Sequence, residues 1–206
     1  MKNFLILWLA ILPLFPVASA QAGSDVDDLI TALAPVRQLQ GKFSQQQYGQ
    51  DNALLGESSG RFRLLRPGYF SWEIQSPDQQ LIIAGPQYIW HHDRDLETVT
   101  RRPVTTDADM APLQLLGGDE NTLREKFQVV RKAAGAFVLT PVSRDVGFKQ
   151  LTLYLDGARL TGMEIQDNLD QNVVIKFTDL DSESALSAAD FVFSPPPGAD
   201  LFYYDE

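Results

Sequence analysis

The stretch "LLRPGYFSWEI" (residues 64–74) combines two opposing structural signals. Its aliphatic and aromatic side chains favour a β-strand, whereas Pro67 and Gly68 interrupt one. Between these signals, Arg66 places a permanent positive charge among large apolar residues. Burying that charge is costly unless its hydrogen-bond donors are all used. The segment therefore predicts a β-strand that is interrupted at Pro67 and Gly68. It also predicts that Arg66 lies beside the apolar face of the sheet.

Around this segment, apolar residues recur at every second position, which is the period of a half-buried strand. Phe62 and Leu64 alternate with arginines. Three later runs show the same alternation, in residues 151–155, 163–166 and 173–177. The turns at 156–157 and 167–168 separate them, as is typical of an antiparallel meander. Counting such runs predicts about ten or eleven strands.

A helical pattern precedes the strands. Ser24 is a candidate N-cap, and the acidic residues after it suit the first turn of a helix. Pro35 disfavours helical geometry at the residue before it, so the helix should end there. The residues between these two share one apolar stripe, made of Val26, Leu29, Ile30 and Leu33.

Two later segments are also candidate helices. "APLQLLGG" (residues 111–118) has Pro112 in its first turn and glycines at its end. A further helical turn can begin at Asp119. A long twisted sheet curls, and its apolar face must be covered. We therefore predict a mainly β fold with short helices, which cover one face of a curled antiparallel sheet or partial barrel.

The N-terminus indicates export from the cytoplasm. Lys2 precedes an uncharged apolar run over residues 4–15, and the small residues 18–20 form an A-x-A-like cleavage site. The run is shorter than a membrane span, although an uncleaved anchor is the alternative. We predict that residues 1–20 are a signal peptide. The remaining 206 − 20 = 186 residues, 21–206, should form a single domain.

Charge and cysteine content exclude several classes of protein. Loss of Lys2 changes the formal net charge from −10 to −10 − 1 = −11, which argues against binding nucleic acid or anionic lipid surfaces. The chain has no cysteine, and so it has no disulfide, thiolate metal site or acylated cysteine anchor. We expect a soluble chain outside the cytoplasm, without stable membrane insertion.

The residue patterns do not predict catalysis. His91 and His92 are the only histidines, and neighbouring strand residues point to opposite faces, so the two make a poor metal pair. Residues 93–95, which follow, are typical of a solvated hairpin turn. The sequence has neither a nucleophile motif nor a phosphate-binding loop, and its spacing selects no carboxylate pair. We expect no enzyme activity, no cofactor and no metal.

Arg66 needs partners wherever it lies. Its guanidinium carries five donors in a planar fork, which suits several carbonyl oxygens at once. Helix C-termini expose such carbonyls, so Arg66 could hold a covering helix against the strand. We call this predicted contact the latch. The alternative is a surface position for Arg66 beside a bulge at Pro67.

The strand aromatics and helix leucines predict an apolar site on one face of the sheet. Its wall would consist of Phe62, Leu64, Phe70 and Trp72. Its cover would consist of Leu29, Ile30, Leu33, Leu115 and Leu116. The alternative is that these residues form a solid, well-packed core.

Six motifs occur in a characteristic order over nearly the whole mature chain. They are "GKFSQ" (41–45), "RPGYFSW" (66–72), "PDQQLIIAGPQYIW" (77–90), "APLQLL" (111–116), "FVLTP" (137–141) and "FVFSPPPG" (191–198). In this order and spacing the chain resembles the periplasmic outer-membrane lipoprotein carrier proteins, the LolA family. The resemblance implies an unclosed antiparallel barrel of about eleven strands. It also implies a lid of three α-helices and a hydrophobic cavity for acyl chains.

The resemblance further implies roles for single residues. In the family, the arginine of the Arg-Pro motif bonds lid backbone and holds the empty form closed, and Arg66 occupies that position. Phe70 and Trp72 match a functionally sensitive aromatic residue and a cavity tryptophan. Three positions in the turn and the lid depart from the family pattern: His92, Thr98 and Ala111.

The function implied by the resemblance is that of a monomeric periplasmic chaperone. It would take lipoproteins from an inner-membrane ABC transporter, shield their acyl chains in the cavity and hand them to an outer-membrane acceptor. The rival hypothesis is a periplasmic lipid-sensing regulatory or binding protein on the same fold.

Overall fold

The computed structural model describes residues 21–104, 120–133, 135–143 and 146–204. The predicted signal peptide and the predicted helix over residues 111–118, which contains Leu115 and Leu116, lie outside these ranges. Within them, no helix has both the length and the apolar character needed to cross a membrane.

The described residues contain two α-helices, one 3₁₀ helix and twelve strands. Helix α1 is Gln21–Leu33, helix α2 is Glu120–Lys126, and the 3₁₀ helix is Ala188–Phe191. The strands are β1 (Gln38–Tyr48), β2 (Leu54–Leu65), β3 (Tyr69–Ser76), β4 (Gln80–Ala84), β5 (Tyr88–Asp93), β6 (Thr98–Pro103), β7 (Phe127–Ala133), β8 (Ala136–Pro141), β9 (Phe148–Asp156), β10 (Arg159–Asp167), β11 (Asn172–Asp181) and β12 (Asp200–Tyr203).

All twelve strands belong to one sheet, in the order β12-β6-β5-β4-β3-β2-β1-β11-β10-β9-β8-β7. The sheet does not close on itself, because β12 and β7 lie at its two ends. Neighbouring strands are antiparallel except β12, which pairs in parallel with β6. The predicted open antiparallel sheet is confirmed, with β12 as an additional strand. The three-helix lid is not, since two α-helices are found among the described residues.

One face of the sheet packs against α1, and we call it the inner face. On β2, Phe62 and Leu64 are buried on this face, whereas Arg61 and Arg63 lie on the opposite, outer face. The predicted alternation in β9, β10 and β11 likewise places its leucines, Met163 and Ile175 in the inner core. The predicted stripe of α1 joins the same core through Leu29, Ile30 and Leu33.

The predicted N-terminus of α1 is wrong. The helix already includes Gln21, so Ser24 does not cap it. Gln21 and Ala22 are good helix formers, and their propensity extends the helix past the local capping signal. The C-terminus is as predicted: α1 ends at Leu33, two residues before Pro35, and Ala34 N–H donates to Ile30 O at 2.8 Å.

The acidic residues of α1 anchor the helix rather than start it. Asp27 pairs with Arg124 of α2 at 2.6 Å, and Asp28 pairs with Arg131 of β7 at 2.9 Å. Asp25 is buried, and its carboxylate accepts the main-chain N–H of Arg131 at 3.1 Å. This bond occupies a main-chain donor on the end strand of the sheet. The N-terminal half of α1 is therefore fixed to α2 and β7.

A second, smaller apolar cluster lies on the outer face. The chain after β11 crosses this face. Ile83 and Val99 of the sheet and Phe191 of the crossing chain are buried there. The crossing chain contacts the sheet through Phe193, whose ring centroid is 5.4 Å from that of Trp90. It ends as β12, where Tyr203 stacks 4.5 Å from the Arg101 guanidinium. The C-terminal segment thus covers β3 to β6 from outside.

Gly60 on β2 has no room for a side chain. A Cβ atom at Gly60 would overlap the main-chain carbonyl of Glu73 on β3, so the backbone would have to shift. We expect Gly60→Ala to lower the free energy of unfolding by about 1–3 kcal/mol. Denaturant unfolding followed by tryptophan fluorescence measures the change. Gly56→Ala is the control, because a Cβ there meets nothing within 4 Å. Equal destabilisation by the two variants would contradict the steric argument.

Candidate functional site

Residues 66–68 form the turn between β2 and β3, in agreement with the predicted interruption. Gly68 has φ of 80°, in the left-handed region that glycine adopts without steric cost. The main-chain N–H of Arg66 donates to Arg37 O at 2.9 Å. This bond ties the turn to the segment that follows α1, and it places Arg66 next to the C-terminal end of the helix.

The Arg66 side chain contacts that helix end directly. Its Nη1 donates to Leu33 O at 3.3 Å. The last carbonyls of a helix have no partner within it, and a positive charge there is favourable. Burial lowers the pKa of Arg66, and the negative charge of Glu120 on α2 opposes this shift. Arg66 is therefore half-buried between the turn and α1, and its role as a latch stays a prediction.

The predicted wall residues lie together on the inner face. Phe62, Leu64, Phe70 and Trp72 are no more than 3 % exposed. Trp72 stacks on Phe43 with ring centroids 3.5 Å apart, and Phe62 lies 4.9 Å from Phe177. The α1 residues Leu29, Ile30 and Leu33 are buried in the same cluster. Leu115 and Leu116, the other predicted cover residues, lie outside the described residues.

The aromatic rings of this cluster pack closely against one another. Trp72 contacts four other rings on the inner face, those of Phe43, Phe62, Phe70 and Phe177, at centroid distances from 3.5 to 6.4 Å. For an apolar ligand to reach these rings, we expect α1 to move away from the sheet. Such a movement would break the bond from Arg66 to Leu33.

A polar corner adjoins this cluster on the inner face, and we define it as Gln80, His91 and Asp93. His91 Nε2 lies 3.2 Å from Gln80 Oε1, and Gln80 Nε2 donates to Asp93 Oδ2 at 3.4 Å. Burial lowers the pKa of His91; Asp93 opposes the shift and Arg102 adds to it. No local sequence pattern predicts this group, because it forms only through the pairing register of β4 with β5.

The second histidine faces the other way, as predicted. His92 lies on the outer face, with its ring 5.7 Å from that of Phe193. Residues 93–95 belong to the predicted hairpin region, where Asp93 ends β5 and accepts the N–H groups of Asp95 and Leu96. Within the described ranges, no group of three or more histidine or carboxylate side chains is placed to hold a metal ion.

The outer face also carries a polar groove of about 490 Å³ beside β1, β2 and β11. Three of the charged residues that line it belong to ion pairs. Lys42 contacts Asp179 at 2.8 Å, and Glu73 contacts Arg94 at 2.8 Å. Glu73 is thus part of an ion pair. The groove is therefore lined by solvent-accessible charged side chains on neighbouring strands of the sheet.

Comparison with known proteins finds the same description in a family model and in individual relatives. The family model described as "Outer membrane lipoprotein carrier protein LolA" matches residues 34–194. A protein from Dechloromonas aromatica named outer-membrane lipoprotein carrier protein is 37% identical over 198 residues, which cover 93% of this chain and 91% of that protein. A relative of the same name from Pseudomonas paraeruginosa is 32% identical over 188 residues, 90% of each chain.

The fold is also similar to that of a solved structure of low sequence identity. An uncharacterized conserved protein from Thermus thermophilus superposes with a TM-score of 0.52 at 15% identity. The match covers 89% of this chain and 100% of that one. At this identity the similarity concerns the fold alone.

Proposed function

The chain belongs to the LolA family of outer membrane lipoprotein carrier proteins, and from this premise we propose that it carries lipoproteins through the periplasm. The observation that supports the proposal most strongly is the inner apolar cluster under α1, with Arg66 bonded to the end of that helix. Acyl chains would replace α1 against the wall formed by Phe62, Leu64, Phe70 and Trp72. The side chains of Leu29, Ile30 and Leu33 would then cover the cargo.

The energetics of acyl burial explain why such a carrier needs a latch. Burying an acyl chain gains ~0.8 kcal/mol per methylene, so a permanently open cavity would bind its cargo too tightly to release it. An exposed empty cavity would also aggregate. A latch offsets part of the gain, because loading must break hydrogen bonds from the charged Arg66. The free energies of the loaded and the empty carrier are then closer to each other, so that the cargo can be released as well as bound.

The proposed route has three partners. An inner-membrane ABC transporter would supply the lipoprotein and the energy for its extraction, and an outer-membrane acceptor would receive it. The mature chain, residues 21–206, would act between them as a monomer, without cofactor or hydrolysis. A third helix over residues 111–118, contributing Leu115 and Leu116, would complete the lid.

A release assay tests the proposal directly. Inner-membrane vesicles that contain the transporter and labelled lipoproteins are mixed with purified protein and ATP, and the supernatant is separated by size exclusion. We expect a soluble one-to-one complex of lipoprotein and carrier that forms only when ATP and carrier are both present. Label that stays with the vesicles under these conditions would contradict the carrier function.

A further inference from the structure

We propose that the polar corner of Gln80, His91 and Asp93 binds the backbone N–H groups at the lipidated N-terminus of the cargo peptide, while the acyl chains lie against the aromatic cluster. The inference rests on the proposed function and adds to it a polar subsite with its own chemistry. The subsite would contact the junction between the acyl groups and the polypeptide chain of the lipoprotein.

The position of the corner suits this junction. Trp72 lies opposite Ile82, and Ile82 lies opposite His91, in one row across β3, β4 and β5. At the usual strand spacing, His91 is about 10 Å from Trp72. Ile82 packs against the inner core and so continues the apolar wall toward the histidine. A cargo molecule with its acyl chains on Trp72 would therefore place its first peptide groups near His91.

The hydrogen-bond pattern of the corner leaves the second ring nitrogen of His91 as an acceptor. Gln80 donates its amide N–H to Asp93, which turns Gln80 Oε1 toward His91. Because an amide oxygen only accepts, His91 must donate from Nε2, and its Nδ1 is then an acceptor. On β6, Thr100 and Thr98 lie opposite His91 and Asp93 and add hydroxyl oxygens. Burial lowers the pKa of His91, which favours the neutral imidazole.

A site that offers an acceptor nitrogen selects the part of a lipidated cysteine that carries hydrogen-bond donors. The two ester groups of the diacylglyceryl unit carry only acceptors and gain nothing at such a site. The amide of the N-acyl group and the peptide groups that follow carry N–H donors, which satisfy Nδ1 and the neighbouring oxygens. The corner would thus recognise any lipoprotein through its main chain, independently of side-chain sequence.

A pair of synthetic lipopeptides tests the subsite. Both carry a triacylated cysteine followed by serine, and in one of them the Cys-Ser amide is N-methylated. Each displaces a fluorescent fatty acid from the purified protein. We expect the N–H form to bind about fivefold to tenfold more tightly to the wild type, the effect of one hydrogen bond. His91→Phe should abolish this preference, while affinity for the fatty acid changes less than about twofold.

The neighbouring histidine provides a matched control. His92→Phe changes the adjacent residue on the outer face and should keep the wild-type preference. If His91→Phe does not fold, as judged by circular dichroism, Gln80→Leu serves as the second variant that disrupts the corner. A wild type that does not distinguish the two lipopeptides, or corner variants that still do, would overturn the inference. Failure of the wild type to bind the fatty acid and both lipopeptides would instead overturn the carrier function itself.

Discussion

Replacing Arg66 with leucine is expected to yield a folded protein that accepts lipoprotein but releases it to the acceptor about tenfold to a hundredfold more slowly. The physical reason is the loss of the bond to Leu33 O, which in our proposal stabilises the empty closed form. A hydrogen bond from a charged donor contributes about 1.5–3 kcal/mol, and each 1.4 kcal/mol changes an equilibrium tenfold. Transfer of labelled lipoprotein to membranes that hold the acceptor measures the rate.

Two further variants make the latch experiment specific. Arg66→Lys should restore release only in part, because one ammonium group cannot reproduce the planar fork. Arg61→Leu removes an arginine of β2 that faces outward, so it should transfer cargo at the wild-type rate. Wild-type transfer kinetics in Arg66→Leu, with a normal melting curve, would rule out the latch.

Replacing Phe70 with glutamate is expected to abolish saturable binding of a fluorescent fatty acid, with affinity at least about a hundredfold lower. Phe70 is buried beside Trp72 in the inner cluster. A carboxylate at this position must lose its hydration when acyl chains enter, and desolvation of an unpaired charge costs several kcal/mol. In the empty protein the carboxylate can remain hydrated if α1 moves, so cooperative unfolding should persist at a lower Tm. Fluorescence titration and thermal melting give the two measurements.

Control variants separate charge from shape in this experiment. Phe70→Leu keeps an apolar side chain and should retain binding, whereas Gln75→Glu adds the same charge to an exposed position of β3 and should change nothing. The competing hypothesis is a solid core on the inner face. It predicts that Phe70→Glu unfolds and that the wild type has no saturable fatty-acid site. That combination of results would also exclude the carrier assignment.

Local periodicity was sufficient to predict most of the sheet and the inner face of α1. Alternation of apolar and polar residues directly specifies which face a strand side chain takes, so β9, β10 and β11 were predicted from their alternating apolar residues. The stripe of α1 was predicted for the same reason. The start of α1 was not predicted correctly. Ser24 is a capping residue, but the helix-forming residues before it extend the helix past this signal.

The outer cluster could not be predicted from local patterns. It depends on the path of residues 182–204 across the sheet, and β12 has four residues, too few for a periodicity to be visible. Aromatic residues such as Phe193 and Tyr203 are the only local indication that this segment packs.

The candidate site was partly predictable for a physical reason. A buried arginine needs carbonyl partners whatever the topology, so a helix end could be named as a candidate partner of Arg66, with a surface position as the alternative. The polar corner could not be, because Gln80 and His91 become neighbours only through the register of β4 on β5. Residues that act through cross-strand pairing remain hidden until the hairpin register is known.

The central position of β1 in the sheet has a consequence for the order of folding. Strands β1 to β6 and strands β7 to β11 each pair with sequence neighbours, and such local hairpins form rapidly. The two halves join only where β1 meets β11, as in the pair Phe43 and Phe177, which are far apart in the chain. Closing that long loop should limit the folding rate. Until then the edge of β1 stays unpaired, so the chain is most prone to aggregate while its second half is incomplete.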